Sequence, residues 1–263
     1  MKVKLFCLSA NGKRSLTLTI GLLFSLLGFE SFSQQMGLPF TKYISSEEYN
    51  SGMMNSAIVQ DSRGFMYFAN NFGLLEFDGS KWNTYGVRTG SNVRDVAISS
   101  DGKIYVAAQG DFGFFTADET GNLIYTSLAA SLTEKDLHLD EVWRVFIGKK
   151  EIYFCASNNI FIYYNDSLVE VIPIDPTIHF YYLNNRLYLQ TEGKGLSYLS
   201  NGKFEEHTGT RNIQNKEVVS LLRGIDNKFL LVSANSGIFD EQGDRDKSLM
   251  IDSESLKNAR INR

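Results

Sequence analysis

Short apolar runs alternate with polar turns along most of the chain. The segment AIVQDSRGFMYFANNFGLLEFDG, at 57–79, holds three such runs, with Gly, Asn and Asp residues between them. Apolar runs of four or five residues bounded by these turn formers predict β-strands joined by tight turns. Three such strands cannot bury both of their faces alone, so the pattern also predicts that they pack against further sheets.

The same unit recurs four more times, beginning at Val96, Val145, Phe180 and Leu221. Each copy reads strand, polar turn, strand, polar loop and strand. The second strands share an apolar position that returns after 35 to 48 residues, about 41 on average, at Tyr67, Tyr105, Tyr153, Tyr188 and Leu230. A period near 40 with about four strands per unit is typical of β-propeller blades. A β-sandwich, the alternative, would show similar strand spacing without this long-range phase.

We therefore predict an all-β fold, a β-propeller of about five four-stranded blades of about 41 residues within 55–250. Fourth strands are weaker but visible at 81–85 and 203–207, and the polar insertion AASLTEKDLHLDEV predicts one helix beside a blade. Residues 34–54 are expected to be a lead-in strand. The tail 251–263 lacks β-alternation and resembles a connector into a further blade, which predicts an incomplete ring. The alternative is a five-bladed ring that the strand 40–44 completes.

Residues 1–33 have the pattern of a secretory signal peptide. A basic front with Lys13 and Arg14 precedes the uncharged run LTLTIGLLFSLLGF, and SFS at 31–33 places small residues before a cleavage site at Gln34. The apolar run is short for a bilayer crossing, so we expect cleavage and no membrane span in the mature chain. A retained N-terminal anchor is the alternative.

The first copy resembles the two-component regulator propeller repeat. That repeat runs through Asp-x-x-Gly, an aromatic-rich strand, a short loop, Gly-Leu and a closing Asp, and the residues that match it in order are Asp61, Gly64, Tyr67, Asn70, Gly73, Leu74, Phe77 and Asp78. The second copy keeps Asp101, Gly102 and Tyr105. The lead-in, with Gly-Leu-Pro just after the predicted signal, also resembles the start of such sensors.

This resemblance implies the N-terminal sensor propeller of a triple-tyrosine (Y_Y_Y) sensor protein. Members of that family are periplasmic parts of hybrid histidine kinases or LuxR-type regulators, and their output lies downstream of a membrane helix. The resemblance implies a periplasmic location, an extracellular glycan fragment as ligand and dimerisation of the full-length sensor.

Composition and motifs narrow the chemistry that we expect. A net charge of −4 does not favour a nucleic-acid partner. The sequence shows no nucleophile elbow, metal-ligand spacing, P-loop or dinucleotide motif, so we expect no catalysis, no metal and no cofactor. Two other classes stay open: a secreted propeller lyase or glycosidase, and a protein-interaction scaffold.

Candidate ligand-binding residues lie in the loops between second and third strands and at the entries to first strands, which emerge on one face of a propeller. Amides, carboxylates and aromatic rings at one opening suit a small molecule or oligosaccharide, since hydroxyls need polar partners and sugar rings pack on aromatic faces. The predicted residues are Asn70, Asn71, Phe72, Arg94, Gln109, Asp111, Phe112, Trp143, Arg144, Asn158, Asn159, Glu192, Lys194 and Asn235.

Overall fold

A computed structural model describes residues 41–132, 139, 141–177, 179–224 and 228–244. The chain divides into two compact units, Met1–Tyr43 and Ile44–Arg263, and every element named below belongs to the second. The predicted signal peptide at 1–33 and the predicted connector at 251–263 lie outside the described residues.

Nineteen described strands form five antiparallel sheets, each built from strands that follow one another in the chain. Blade 1 contains β1 (Asn55–Gln60), β2 (Met66–Asn70), β3 (Gly73–Phe77) and β4 (Trp82–Tyr85). Blade 2 contains β5 (Val93–Ile98), β6 (Ile104–Ala108), β7 (Asp111–Ala117) and β8 (Leu123–Ser127). Blade 3 contains β9 (Val142–Ile147), β10 (Ile152–Ala156), β11 (Asn159–Tyr164) and β12 (Ser167–Pro173).

Blade 4 contains β13 (His179–Leu183), β14 (Arg186–Gln190), β15 (Leu196–Ser200) and β16 (Lys203–Glu206). Blade 5 has three described strands, β17 (Val218–Arg223), β18 (Phe229–Ser233) and β19 (Gly237–Asp240). The predicted fourth strands of blades 1 and 4 are confirmed to within one residue at each end. The all-β propeller prediction is therefore confirmed in the described chain, and its unit is the four-stranded meander.

Neighbouring blades bury their apolar residues against one another. Four cores of described residues join blades 1 and 2, 2 and 3, 3 and 4, and 4 and 5. Tyr67, Tyr105, Tyr153 and Tyr188 each lie on the side of their blade that faces the following blade. Between blades 2 and 3, Phe112 stacks on Phe154 with ring centroids 4.4 Å apart. The repeated aromatic position is thus an interblade packing position, which explains why it returns once per blade in the sequence.

The described part of the lead-in, residues 41–54, differs from the strand predicted over 34–54, and residues 34–40 lie outside the described residues. Residues 41–45 have no regular structure, and helix α1 covers Ser46–Tyr49. The Ser45 hydroxyl accepts a hydrogen bond from the amide of Glu48, and Asn50 ends the helix in the left-handed region at φ 47°. A Ser N-cap followed by acidic residues in the first turn favours a short helix over a strand.

Two other regions bear on the sequence predictions. The insertion after blade 2 begins with a 3₁₀ turn at Ala129–Ser131, and most of the helix predicted there lies outside the described residues. A second 3₁₀ helix, Thr208–Ile213, connects blades 4 and 5. Within the described residues, no helix has the length and apolar character needed to span a membrane.

Candidate functional site

The described loops that precede the third strands meet the entries to the first strands on one side of the sheets, here called the upper face. Antiparallel meanders require this, because the end of a second strand and the start of a first strand share an edge. In blades 1, 2, 3 and 5 a backbone hydrogen bond joins the two segments, with an amide of the loop donating to a carbonyl of the strand entry. The donor and acceptor residues are Asn71 and Met54, Gln109 and Asn92, Ser157 and Glu141, and Ala234 and Glu217. The upper face is therefore built from the segments in which the sequence predicted ligand contacts.

A cavity of about 630 Å³ opens on the upper face over blade 4. Its walls come from three places: the loop of blade 3, the entry and loop of blade 4, and the entry of blade 5. The residues that line it are Ser157, Pro176, Thr177, His179, Gln190, Thr191, Glu192, Gly193, Gln214, Asn215, Lys216 and Glu217. This volume falls in the range of small-molecule pockets.

Two residues hold the walls of the cavity in place. The buried Gln190 side chain donates through Nε2 to the carbonyl of Lys216 at 2.9 Å and accepts through Oε1 from the amide of Val218 at 3.0 Å. Thr177 is buried, and its amide donates to the carbonyl of Ser157 at 2.7 Å. These bonds fix blade 3 to the entry of blade 4, and blade 4 to the entry of blade 5.

The mouth of the cavity carries charged groups of both signs. His179 Nε2 lies 3.9 Å from Glu217 Oε1. Lys194 and Asp175 lie outside this cavity and line a separate cavity of about 480 Å³, where Lys194 Nζ pairs with Asp175 Oδ2 at 2.9 Å. Lys216 Nζ lies 5.2 Å from the ring centre of Phe239. The mouth therefore presents polar groups without a concentrated charge of either sign.

A second polar group lies beside the cavity, between blades 2 and 3. Arg94 makes a two-pronged contact with Glu141, Nε to Oε2 at 3.0 Å and Nη2 to Oε1 at 3.2 Å. The Arg94 guanidinium also lies 5.4 Å from the ring centre of Trp143, and Trp143 Nε1 donates to Ser157 Oγ at 2.9 Å. Because Ser157 also lines the cavity, the structure brings the predicted residues Arg94 and Trp143 close to its edge.

The predicted residue Arg144 lies in a different place. It lines a smaller cavity of about 370 Å³ among the first strands of blades 2 to 5. Its Nη1 is 3.6 Å from Oδ1 of Asp95, and Asp95 Oδ2 accepts from the amide of Val145 at 3.1 Å. Burial raises the pKa of the Asp95 carboxyl, and the Arg144 charge opposes that shift. Arg144 therefore joins blade 3 to blade 2 across this cavity.

Three predicted residues are buried inside blades 1 and 2. Asn70 is fully buried and bonds both backbone groups of Gly52. Asp111 is fully buried and accepts from the Ser127 hydroxyl at 2.6 Å, and Phe112 belongs to the core between blades 2 and 3. The sequence predicted these residues in loops, but Asn70 ends β2 and Asp111 and Phe112 begin β7, and their side chains point into the fold.

The other predicted residues are spread along the upper face. Glu192 lines the cavity, whereas Lys194 makes the ion pair with Asp175. Asn71 Oδ1 accepts from the amide of Met54, and Asn159 Nδ2 donates to Asn158 Oδ1 at 3.2 Å. Phe72 is exposed on blade 1, Gln109 makes a backbone bridge to Glu141, and Asn235 is exposed on blade 5.

The sequence analysis missed the segment that enters blade 5. Gln214, Asn215 and Glu217 line the cavity and lie just before β17. They belong to the same kind of strand entry as Arg94 at the start of β5 and Trp143 at the start of β9. The same rule of strand entries, applied to the fifth copy, would have selected them. Within the described residues, no group of three or more His, Cys, Asp or Glu side chains is placed to hold a metal ion.

Comparisons with known proteins show the fold. No family model matches the chain, and no curated protein matches it. Among solved structures, a catalytically inactive virginiamycin B lyase from Staphylococcus aureus with quinupristin is similar at a TM-score of 0.59 and 15% identity, over 75% of this chain and 69% of that one.

Two extracellular domains of B. thetaiotaomicron proteins are similar as well. The domain assigned to a one-component system has a TM-score of 0.52 and 20% identity over 73% of this chain, and the domain assigned to a hybrid two-component system has 0.53 and 14% over 89%. The matches cover 27% and 30% of those longer chains. At these identities the similarity shows the β-propeller fold, which supports the fold class predicted from the sequence.

Proposed function

We propose that this chain is an exported ligand-sensing propeller of a two-component type of signalling protein, and that it binds its ligand without catalysis in the cavity over blade 4. The cavity over blade 4 carries the proposal, because it combines a suitable volume with walls fixed by Gln190 and Thr177. The similar extracellular sensor domains are consistent with such a role, and the predicted signal peptide is consistent with export.

The chemistry of the walls favours a neutral ligand rich in hydroxyl groups, such as a short oligosaccharide. Asn215 supplies an amide, Glu217 and Glu192 supply carboxylates, and Ser157 supplies a hydroxyl. Such groups can both donate to and accept from sugar hydroxyls. Trp143, which Ser157 holds near the edge, offers an aromatic ring on which the apolar side of a sugar could pack.

The test is calorimetric titration of the purified chain with a panel of glycan fragments. We expect one class of fragment to bind, and we expect Asn215→Ala and Glu217→Gln each to weaken that binding by about 1–3 kcal/mol, the cost of losing a buried polar partner. Both residues are exposed in the unliganded chain, so neither change should alter the thermal unfolding midpoint.

Asn235→Ala is the matched control, since Asn235 is also an exposed loop residue of the upper face but does not line the cavity. It should leave affinity unchanged. Equal affinities for all three variants and the parent would place the ligand elsewhere. Release of a shortened or unsaturated product from a bound fragment would instead support the lyase or glycosidase alternative.

A further inference from the structure

Each blade has two faces, and each face packs on a different neighbouring blade. Residues that pack on the preceding blade form its rear face, and residues that pack on the following blade form its front face. In blade 2 the rear face consists of Val96, Ile104, Val106, Phe115 and Tyr125, all in the core with blade 1. In blade 4 the front face consists of Tyr181, Leu183, Tyr188, Leu196 and Tyr198, all in the core with blade 5.

Strand register places an equivalent apolar rear face on blade 1. Ile58 pairs with Phe68 as Val96 pairs with Val106, and Phe77 pairs with Met66 and Trp82 as Phe115 pairs with Ile104 and Tyr125. Tyr49 of α1 contacts Trp82 at the outer end of this face, whereas Ile58, on the innermost strand, is 53% exposed.

Blade 5 has the complementary front face. Leu221, Phe229 and Leu231 pack toward blade 4, so the residues between them in each strand point to the opposite side. That side carries Leu222 opposite Leu230, and Val232 opposite Ile238. Leu222 is 46% exposed, and none of the four cores of described residues joins blade 5 to blade 1.

We infer that the front face of blade 5 binds the rear face of blade 1 of a second copy of this chain. The front face of blade 5 and the rear face of blade 1 carry apolar residues at the same positions as the front and rear faces that form the four interblade cores. The two faces can therefore pack on each other as neighbouring blades do. A contact between two different faces is heterologous, and it adds copies head to tail. Its strength comes from burying Ile58 and Leu222, which are exposed, and the half-buried Leu230 and Ile238 beside the buried Val232. This inference does not depend on the proposed ligand.

Sedimentation velocity of the chain starting at Gln34, over a range of concentrations, tests the contact. We expect the parent chain to associate, and we expect Leu222→Lys or Ile58→Lys alone to weaken association at least about tenfold, because each buries an unpaired charge in the contact. Ile124→Lys is the matched control. Ile124 is also 53% exposed, but it lies on β8 of blade 2 and so belongs to neither of the two faces.

Mixing the two variants gives the decisive result. The Leu222→Lys chain keeps an intact blade 1 and the Ile58→Lys chain keeps an intact blade 5, so a head-to-tail contact predicts a 1:1 dimer that grows no further. Association of Ile58→Lys at the parental strength would indicate contacts between two copies of blade 5 and would overturn the proposal. A parent chain that stays monomeric at every concentration would also overturn it, and would favour closure within one chain.

Discussion

The side chain of Asn70 joins the loop of blade 1 to the segment that precedes β1. Its Oδ1 accepts from the amide of Gly52 at 3.1 Å and from that of Phe72 at 2.9 Å, and its Nδ2 donates to the carbonyl of Gly52 and to Asn55 Oδ1. The residue is completely buried. A buried amide with this many partners acts as a structural connection, and it has little capacity left for a ligand.

Asn70→Ala should therefore lower stability. We expect a loss of about 1–3 kcal/mol for each backbone group of Gly52 left buried without a partner. Urea unfolding followed by tryptophan fluorescence measures the loss, because Trp82 lies in the same blade.

Asn71→Ala is the control for this change, since Asn71 makes one described side-chain bond, to the amide of Met54 at 3.1 Å, near the surface. It should cost well under half as much. An Asn70→Ala chain that unfolds at the parental urea concentration but loses ligand affinity would restore the original prediction that Asn70 contacts ligand.

Gly73 begins β3 at a place where only glycine fits. Its φ is +133°, and a Cβ atom there would lie 2.2 Å from the carbonyl oxygen of Tyr85. The outer strand of blade 1 thus passes directly over the start of β3. The Gly-Leu pair that helped to identify the repeat has a physical cause, since Leu74 beside it is fully buried in the core with blade 2.

Gly73→Ala should destabilise blade 1 more than Gly79→Ala. Both glycines have positive φ, but a Cβ at Gly79 would meet nothing within 4 Å. Gly79→Ala should show only backbone strain, about 1 kcal/mol, while Gly73→Ala adds a backbone clash of roughly 1–3 kcal/mol. Thermal unfolding of the two variants side by side measures the difference. Equal losses would mean that β4 can move away from β3 without cost.

Among the elements, the sequence predicted those strands whose position is determined by the local pattern of apolar and turn residues. Alternation and turn residues place all five second strands, with Tyr67 through Leu230 each inside one, and they also place the fourth strands of blades 1 and 4. In the lead-in, which the sequence analysis predicted as a strand, the structure has the short helix α1 after the Ser45 cap. A single capping residue is a weak signal in sequence, and it becomes decisive when the helix also buries Tyr49.

The candidate site was predictable in position but not in composition. The repeat phase placed the loops on one face, and on that face the structure has Glu192 lining the cavity and Trp143 near its edge. It could not show that Asp111 and Phe112 point inward, because the direction of a loop side chain depends on neighbouring blades. Residues 214–217, which line one wall of the cavity, follow directly after the 3₁₀ helix Thr208–Ile213, so that wall depends on the path of the connection between blades 4 and 5.

In the whole molecule, the five blades form a series in which stability depends on neighbours. Cores of described residues cover both faces of blades 2, 3 and 4 but only one face of blade 5. In such quasi-repetitive folds, stability is approximately the sum of each unit and its interfaces. Blade 5 has three described strands and one described interface, so its local opening should cost less free energy than that of blade 3.

Amide hydrogen exchange should reveal this gradient. We expect amides of β18 in the chain starting at Gln34 to exchange faster than those of β10, its equivalent in blade 3, at low protein concentration. If the front face of blade 5 binds blade 1 of a second copy, protection of β18 should rise with protein concentration while that of β10 stays constant. The Leu222→Lys chain serves as the control, because its β18 should exchange at one rate at all concentrations. Equal protection of β18 and β10 in dilute solution would show instead that the front face of blade 5 is covered within one chain.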